Sequence, residues 1–146
     1  MKFKAYKVLT ADNRAPNNPN YQYHPASGVT VQHEGEELEM CKSGLHVYKS
    51  LKNISVGSFG SIVWEVRVND KDCICDDTKY ACKQFTFIRE IEPAEVKDPE
   101  WAYCYCRYVR DDPEVRKHIT ESVWAYFYCY DVRDDPEVRK HIKEEK

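Results

Sequence analysis

The sequence has no apolar run that approaches the roughly 20 residues of a membrane-spanning helix. It also begins without the pattern of a secretory leader, because Met1–Lys4 leads into charged and polar residues instead of an apolar core segment. Together these two absences predict a cytoplasmic protein without a membrane partner.

The sequence has no clustered excess of basic residues either. Its formal net charge is −3 at pH 7, and the acidic excess lies entirely from Asp98 onward. Domains that bind DNA or RNA concentrate Lys and Arg on one face or along one helix. A nucleic-acid partner is therefore not expected.

No complete catalytic motif is present. A cysteine nucleophile needs a neighbouring histidine and a third group that orients it. Cys41 and His46 could meet across a turn, with Glu65 or Asp72 as the orienting group. A chain with seven cysteines and five histidines contains such pairs by chance. The residues therefore favour a protein that is not an enzyme.

The seven cysteines are an odd number and, without a secretory leader, are expected to be free thiols. The alternative is a structural zinc site, which needs four tetrahedral nitrogen or sulfur ligands. Its candidate ligands are Cys73, Cys75, Cys82 and Cys41, with His46 as a fifth. A strand through residues 73–75 would point two of these thiols to one face, although this spacing is tighter than the common CxxC pair. Free thiols are the preferred interpretation, and zinc is the alternative.

A tandem repeat dominates the C-terminal part of the chain. Residues 101–122 read WAYCYCRYVRDDPEVRKHITES, and residues 124–145 read WAYFYCYDVRDDPEVRKHIKEE, 23 residues later. The triplets Asp98-Pro99-Glu100 and Asp112-Pro113-Glu114 are typical helix starts, so each unit is predicted to be a pair of helices, the second about two turns long. Helices this short are unstable alone. We therefore expect the first unit to dock on the preceding domain, or the array to complete itself in a dimer.

The long helices of the two units differ at three positions that lie on one helical face. The mismatched pairs are Cys104 with Phe127, Arg107 with Tyr130, and Tyr108 with Asp131. One interpretation is a contact face offered to a protein partner. The other is that the first unit packs on the N-terminal domain while the second faces solvent. The sequence leaves both interpretations open.

The first 96 residues carry strand patterns instead of helical ones. Strands are predicted over residues 2–9, 28–32, 61–68 and 84–91, a short helix over 48–54, and a long loop over 10–27. Phe85 and Phe87, with Arg89 as a further candidate, are expected on one face of the last strand. We predict an α+β chain: a head domain, residues 1–96, with a small and mainly antiparallel sheet and one or two helices, and an all-helical tail, residues 97–146, of two helix-pair repeats (101–122 and 124–145).

The order of the segments KAYK, CKSGLH, IVWEV and DDTKYACKQFTFIREIEP resembles a family of small uncharacterised proteins of phages and prophages. Members start with KAYK-like residues, contain C-x-x-G-F-H and end with D-x-K…C…EI, and related phage proteins carry WAYxYAxxV-type repeats. Here Leu45 replaces the Phe, and Tyr48 replaces a Cys that often follows the His. The resemblance implies a mobile-element accessory protein in the host cell that binds a protein, such as a host-protein inhibitor or an anti-defence factor.

A second resemblance concerns the ADP-ribosyltransferase fold, which binds NAD between two sheets. Gly44–Val47, a following helix and the strand Ile62–Val68 are similar to its G-x-Y/H-x element and next strand. Lys7 stands where the fold carries an Arg, and Glu65 and Glu90 are the candidates for its catalytic Glu. The ligand-binding residues that this resemblance implies are Tyr6, His46 and Glu65. The alternative function is therefore a degenerate domain that binds NAD or a small nucleotide without catalysis.

Overall fold

The computed structural model describes residues 2–15, 18–33, 45–54 and 61–143. Two residues singled out above, the metal-ligand candidate Cys41 and Gly44 of the nucleotide-binding resemblance, lie outside the described residues. Within this part of the chain, none of the helices combines the length and the apolar character that crossing a bilayer requires.

Seven strands form one antiparallel sheet, and two further strands form a small hairpin. The strands are β1 Lys2–Leu9, β2 Arg14–Ala15, β3 Asn18–Gln22, β4 Thr30–Gln32, β5 Leu45–Tyr48, β6 Ile62–Asn69, β7 Cys73–Cys75, β8 Lys79–Cys82 and β9 Gln84–Glu90. The order in the large sheet is β4-β9-β6-β1-β5-β8-β7. β2 and β3 form the hairpin, so the prediction of a long loop over 10–27 is wrong for residues 14–15 and 18–22. Asn13 has φ +64°, a left-handed conformation that Asn tolerates, and it allows the chain to reverse there.

Four α-helices follow the sheet. They are α1 Pro99–Tyr108, α2 Pro113–Arg116, α3 Ser122–Asp131 and α4 Pro136–Arg139. Asp98 caps α1 by accepting hydrogen bonds from the backbone N–H groups of Glu100 and Trp101. The second helix of each unit is a single turn of four residues, shorter than the two turns expected. The predicted α+β class, a sheet followed by helices, is confirmed.

The two faces of the sheet carry separate hydrophobic clusters. Side chains alternate across β1, so Ala5 and Leu9 lie on one face while Tyr6 and Val8 lie on the other. On the first face Tyr23, directly after β3, belongs to the cluster. The second face carries the repeats, and its cluster runs without a break from the sheet through both helix pairs. We call this shared cluster the common core.

A β-bulge changes the face on which Arg89 lies. On β9, Phe87 pairs with Val66, but the next pair is Arg89 with Glu65, so Ile88 is an extra residue in the ladder. Arg89 consequently lies on the repeat-bearing face, opposite to Phe87. The expectation that Arg89 shares a face with the two phenylalanines is therefore wrong, because strict alternation fails across a bulge.

Because the two units are buried differently in the common core, the same substitution at equivalent positions should lower the free energy of unfolding by different amounts. Ile119 of the first unit is fully buried, whereas Ile142, its counterpart 23 residues later, is partly buried. We expect Ile119→Ala to lower the free energy of unfolding by about 2–5 kcal/mol. Ile142→Ala should lower it by about 1 kcal/mol. Chemical denaturation of both variants measures the difference, and equal losses would contradict this placement of the core.

Candidate interaction surface

The structure brings the predicted ligand residues Tyr6, His46 and Glu65 onto one face of the sheet. Tyr6 is paired with Glu65 on β6 and with Tyr48 on β5, and His46 shares the face of Tyr48 because it lies two residues away. The same face receives the repeats. The ring of Trp101 lies 6.5 Å from that of Tyr6 in an edge-on arrangement. The first repeat therefore packs on this part of the face.

Glu65 is a buried carboxylate surrounded by three cations. Its oxygens lie 3.6 Å from Lys4 Nζ and 3.5 Å from both Arg67 Nη2 and Arg89 Nε. Burial of a carboxylate is costly unless opposite charges compensate for lost hydration, and these cations supply that compensation. Burial, followed by the nearby charge of Glu65, raises the pKa of Tyr6. Tyr6 and Glu65 are thus packed within the fold, and their role in ligand binding stays a prediction.

Lys7 lies on the opposite face of β1 and is almost fully buried. Its Nζ donates a hydrogen bond of 2.8 Å to the backbone carbonyl of His46 and lies 5.3 Å from the ring centroid of Tyr23. Burial lowers the pKa of Lys7 from 10.5 to about 8. The amine is thus charged at neutral pH at a cost in desolvation, and it loses its proton in mildly alkaline solution.

This pKa predicts how stability changes in alkaline solution. Between about pH 8 and 10.5 the unfolded chain keeps the Lys7 proton that the folded chain has lost, so the contribution of Lys7 to stability rises with pH. The free energy of unfolding of the wild type minus that of Lys7→Met should increase by about 3 kcal/mol across this window. Below pH 7 the difference should stay constant. Parallel stability curves for the two proteins throughout would contradict a buried amine.

Three cysteines of the zinc prediction, Cys73, Cys75 and Cys82, lie at one edge of the sheet. Cys73 and Cys82 face each other across β7 and β8, while Cys75 is exposed. Burial, followed by the nearby Cys73, raises the pKa of Cys82 to about 12, so this thiol stays protonated at neutral pH. In the described part of the chain, no three His, Cys, Asp or Glu side chains are grouped to hold a metal ion. Because Cys41 lies outside that part, the four-ligand zinc site stays a prediction.

These environments predict which thiols react. At pH 8 an aromatic disulfide reagent should modify Cys75 quickly in the native protein, and Cys82 only after denaturation, because thiolates are the reactive form. Cys75→Ser should remove one fast-reacting thiol. Cys82→Ser is the matched control and should leave the native count unchanged. A fall in the native count of the control would show that Cys82 is accessible.

The two repeat units pack against each other through aromatic rings and a hydrogen-bonded ion pair. The ring of Tyr103 is 5.7 Å from Trp124 and 6.1 Å from Phe127. Its hydroxyl donates a 2.6 Å hydrogen bond to Asp131 and accepts one of 2.8 Å from Arg107, which lies 3.4 Å from the same carboxylate. Burial and the bond to Asp131 raise the pKa of Tyr103, so the hydroxyl remains a donor. Asp131 is thus engaged within the chain.

A second polar contact joins the units beside the first. The hydroxyl of Tyr128 donates a 2.8 Å hydrogen bond to Asp111. Arg116 donates to Asp111 at 3.0 Å and to the Tyr128 hydroxyl at 3.3 Å. Burial raises the pKa of Tyr128 to about 12. Because Asp111 and Arg116 belong to the first unit and Tyr128 to the second, this contact fixes their relative orientation.

The mismatched residues of the first unit pack within the chain. Cys104 is buried, and its thiol donates to the backbone carbonyl of Lys52, 3.7 Å away in the head. Arg107 lies 4.9 Å above the ring of the half-buried Tyr108, besides its contacts with Asp131. Cys104 thus packs on the head as the packing interpretation expects, whereas Arg107 is exposed and contacts the second unit. For Phe127 and Tyr130, the contact-face interpretation stays a prediction.

The second unit presents an exposed cluster of apolar side chains, which we call the aromatic patch. Its members are Val123, Tyr126, Phe127 and Tyr130 on α3. The exposed fractions of the three rings are 53%, 39% and 79%. Tyr126 lies 5.8 Å from Phe127 and is stacked on Tyr130 at 6.3 Å. In the described chain, only two other large hydrophobic side chains, Val29 and Ile74, are comparably exposed. The aromatic patch is therefore a localised feature of the surface.

The comparison of mismatches between the two units missed two members of the aromatic patch. Tyr126 is identical to Tyr103 of the first unit, so a search for mismatches passes over it. Val123 lies between the two aligned segments. The repeat itself was the available signal. The second unit covers Tyr103 of the first unit, and Tyr126, the counterpart of Tyr103 in the second unit, is not covered in this way.

Comparison with known proteins places the sheet in a family. Residues 3–98 match a family described as a domain of unknown function, DUF7666. The match ends at Asp98, the cap of α1, so the repeats lie outside it. Searches of curated proteins and of solved structures gave no match. The expectation of an uncharacterised family is thereby confirmed, and because the match covers most of the chain, the chain belongs to the DUF7666 family.

Proposed function

We propose that this protein is a non-enzymatic accessory protein of a phage or another mobile element, and that it binds a protein partner in the cytoplasm of the host cell. The observation that carries the binding function is the aromatic patch on α3. Exposed apolar clusters of this kind commonly mark sites of protein interaction. The mobile-element origin is supported by the resemblance of the sequence to phage and prophage proteins.

The composition of the aromatic patch suits a protein interface. Tyr and Phe are enriched at interfaces, and Tyr is among the residues that contribute most binding energy. The patch stands on a helix whose inner side is fixed by the contacts of Trp124 and Tyr128 with the first unit. A rigid helix presents its side chains with little entropy lost on binding. Tyr126 and Tyr130 are the expected anchors, with Phe127 beside them.

An inhibitor or anti-defence role is the proposed type of action. A small protein that binds through the aromatic patch acts on another protein by occupying part of its surface. The acidic excess of the tail, from Asp98 onward, adds a charge that a basic partner surface would complement.

The nucleotide-binding alternative gains less support from the geometry. The ring of Trp101 contacts Tyr6, and three cations neutralise Glu65. A ligand on this face would compete with the first repeat unit. Thermal-shift measurements with NAD, ADP-ribose and cyclic nucleotides test it, since a ligand at about 100 times its dissociation constant adds about 2.7 kcal/mol of stability.

Surface probes test the binding function better than deletion of the tail, because the common core joins the tail to the sheet. A photo-crosslinking phenylalanine analogue at position 130 should give a discrete adduct with one partner protein in host cells. The same analogue at Glu137, an exposed position on α4, is the matched control and should not give that adduct. Adding Val123→Ser and Tyr126→Ser should abolish it.

If the adduct forms equally from position 137, or survives the two substitutions, the aromatic patch is not the site that binds the partner. An adduct with twice the mass of the chain would identify the partner as a second copy. Absence of any adduct at position 130 in host cells would contradict the proposed function.

A further inference from the structure

Each repeat unit has two different sides in the packed array. One side of the second unit inserts against the first unit, and we call it the inserting side. Its residues are Trp124, Phe127, Tyr128 and Asp131. One side of the first unit accepts them, and we call it the receiving side. Its residues are Tyr103, Arg107, Asp111 and Arg116.

The head accepts the first unit in a related way. Trp101, the counterpart of Trp124, contacts Tyr6 of the sheet edge-on, and Trp124 is stacked on Tyr103. Cys104, at the position of Phe127, is buried against Lys52 of the head. The chain therefore stacks in one direction, with each inserting side covered by the element before it.

The second unit has its own receiving side, one period further along the chain. Its residues are Tyr126, Tyr130, Asp134 and Arg139. Three of the four are identical to those of the first unit, and only Arg107 is replaced, by Tyr130. Arg139 is hydrogen-bonded to Asp134, as Arg116 is to Asp111. The side chains of Asp134 and Arg139 are 60% and 63% exposed, against 13% and 16% for Asp111 and Arg116.

From this equivalence we infer that the receiving side of the second unit binds a helix pair of the same repeat type carried by another polypeptide. The inference rests on the proposed binding function and names the partner. The partner helix presents a Trp, an aromatic residue three positions later, a Tyr four positions later and an Asp seven positions later. Its Trp stacks on Tyr126, its Tyr donates to Asp134, and its Asp accepts from the Tyr126 hydroxyl.

An intact second copy of the chain does not present such a helix. Its Trp101 is engaged with Tyr6 and its Trp124 with Tyr103. Both inserting sides are thus occupied within the copy itself. The occupant is therefore a chain whose repeat helix has a free inserting side.

The exchange of Arg107 for Tyr130 changes the character of the contact. Arg107 forms an ion pair with Asp131 between the two units, and Tyr130 carries no charge to repeat it. Tyr130 instead adds apolar area to the receiving side. Binding at this side should therefore depend less on salt than an interface with the ion pair would.

The test uses the full-length chain and a labelled peptide that copies residues 121–143. In the peptide, Tyr126→Ser and Tyr130→Ser remove the two aromatic residues of its own receiving side, while the inserting-side residues Trp124, Phe127, Tyr128 and Asp131 are kept. The fluorescence anisotropy of the labelled peptide is measured while the full-length chain is added up to about 1 mM. This high concentration is needed because a helix this short becomes ordered only on binding, which weakens the affinity. Saturable binding is expected, and Trp124→Ala in the peptide should weaken it at least about tenfold, equivalent to 1.4 kcal/mol.

Substitutions in the full-length chain locate the contact. Tyr126→Ser with Tyr130→Ser should weaken binding at least about tenfold. Ile74→Ser, at an exposed apolar residue on β7, is the matched control and should leave binding unchanged. Circular dichroism establishes that each variant is folded, which is expected because all three residues are exposed.

Failure of this inference is distinguishable from failure of the proposed function. If the peptide does not bind, or binds the Tyr126 and Tyr130 variant equally well, the repeat-type partner is excluded, while a crosslinked partner at position 130 would still support the binding function. A dimer in sedimentation that Tyr130→Ser dissociates would also overturn the inference, because a second copy would then occupy the receiving side.

Discussion

The structure depends on the burial of one face of the sheet beneath the first repeat helix. Tyr6 and Val8 of β1 cannot be covered by the strands themselves, and α1 cannot persist alone in water. Each therefore supplies the apolar surface that the other needs. The contacts of Trp101 with Tyr6 and of Cys104 with Lys52 set the position of α1 on the sheet. Every later element of the tail is positioned from that helix.

The second unit packs on the first much as the first unit packs on the sheet. The second unit stacks on the first through Tyr103 and Trp124, and the polar contacts of Asp111 and Asp131 fix its rotation. Solenoid proteins are stabilised in this way by contacts between neighbouring units. The consequence is an asymmetric array in which a side that is covered in one unit is exposed in the next. The aromatic patch is the product of that asymmetry, and it connects the architecture to the proposed binding function.

Several features followed from local sequence. The Asp-Pro-Glu starts specified where α1, α2 and α4 begin, because a capping carboxylate and a proline act within one turn. Alternation specified the strands β1, β6 and β9. The errors have equally local causes. A run rich in Asn, Pro and Asp contains the β2–β3 hairpin, since such residues also make tight turns. Arg89 was assigned to the wrong face because nothing in the composition of β9 announces the bulge at Ile88.

The sequence by itself determined that a strand-rich head is followed by two equivalent helix pairs, because periodicity and capping are properties of neighbouring residues. It also marked Phe127 and Tyr130 as positions where the units differ. Only the tertiary structure decided that Asp131 and Cys104 are engaged within the chain while Tyr126 is exposed. Tyr103 and Tyr126 occupy the same position of the repeat, each directly after Trp and Ala. Their different exposure, 6% against 53%, arises from whether another unit stacks on them, which depends on long-range packing.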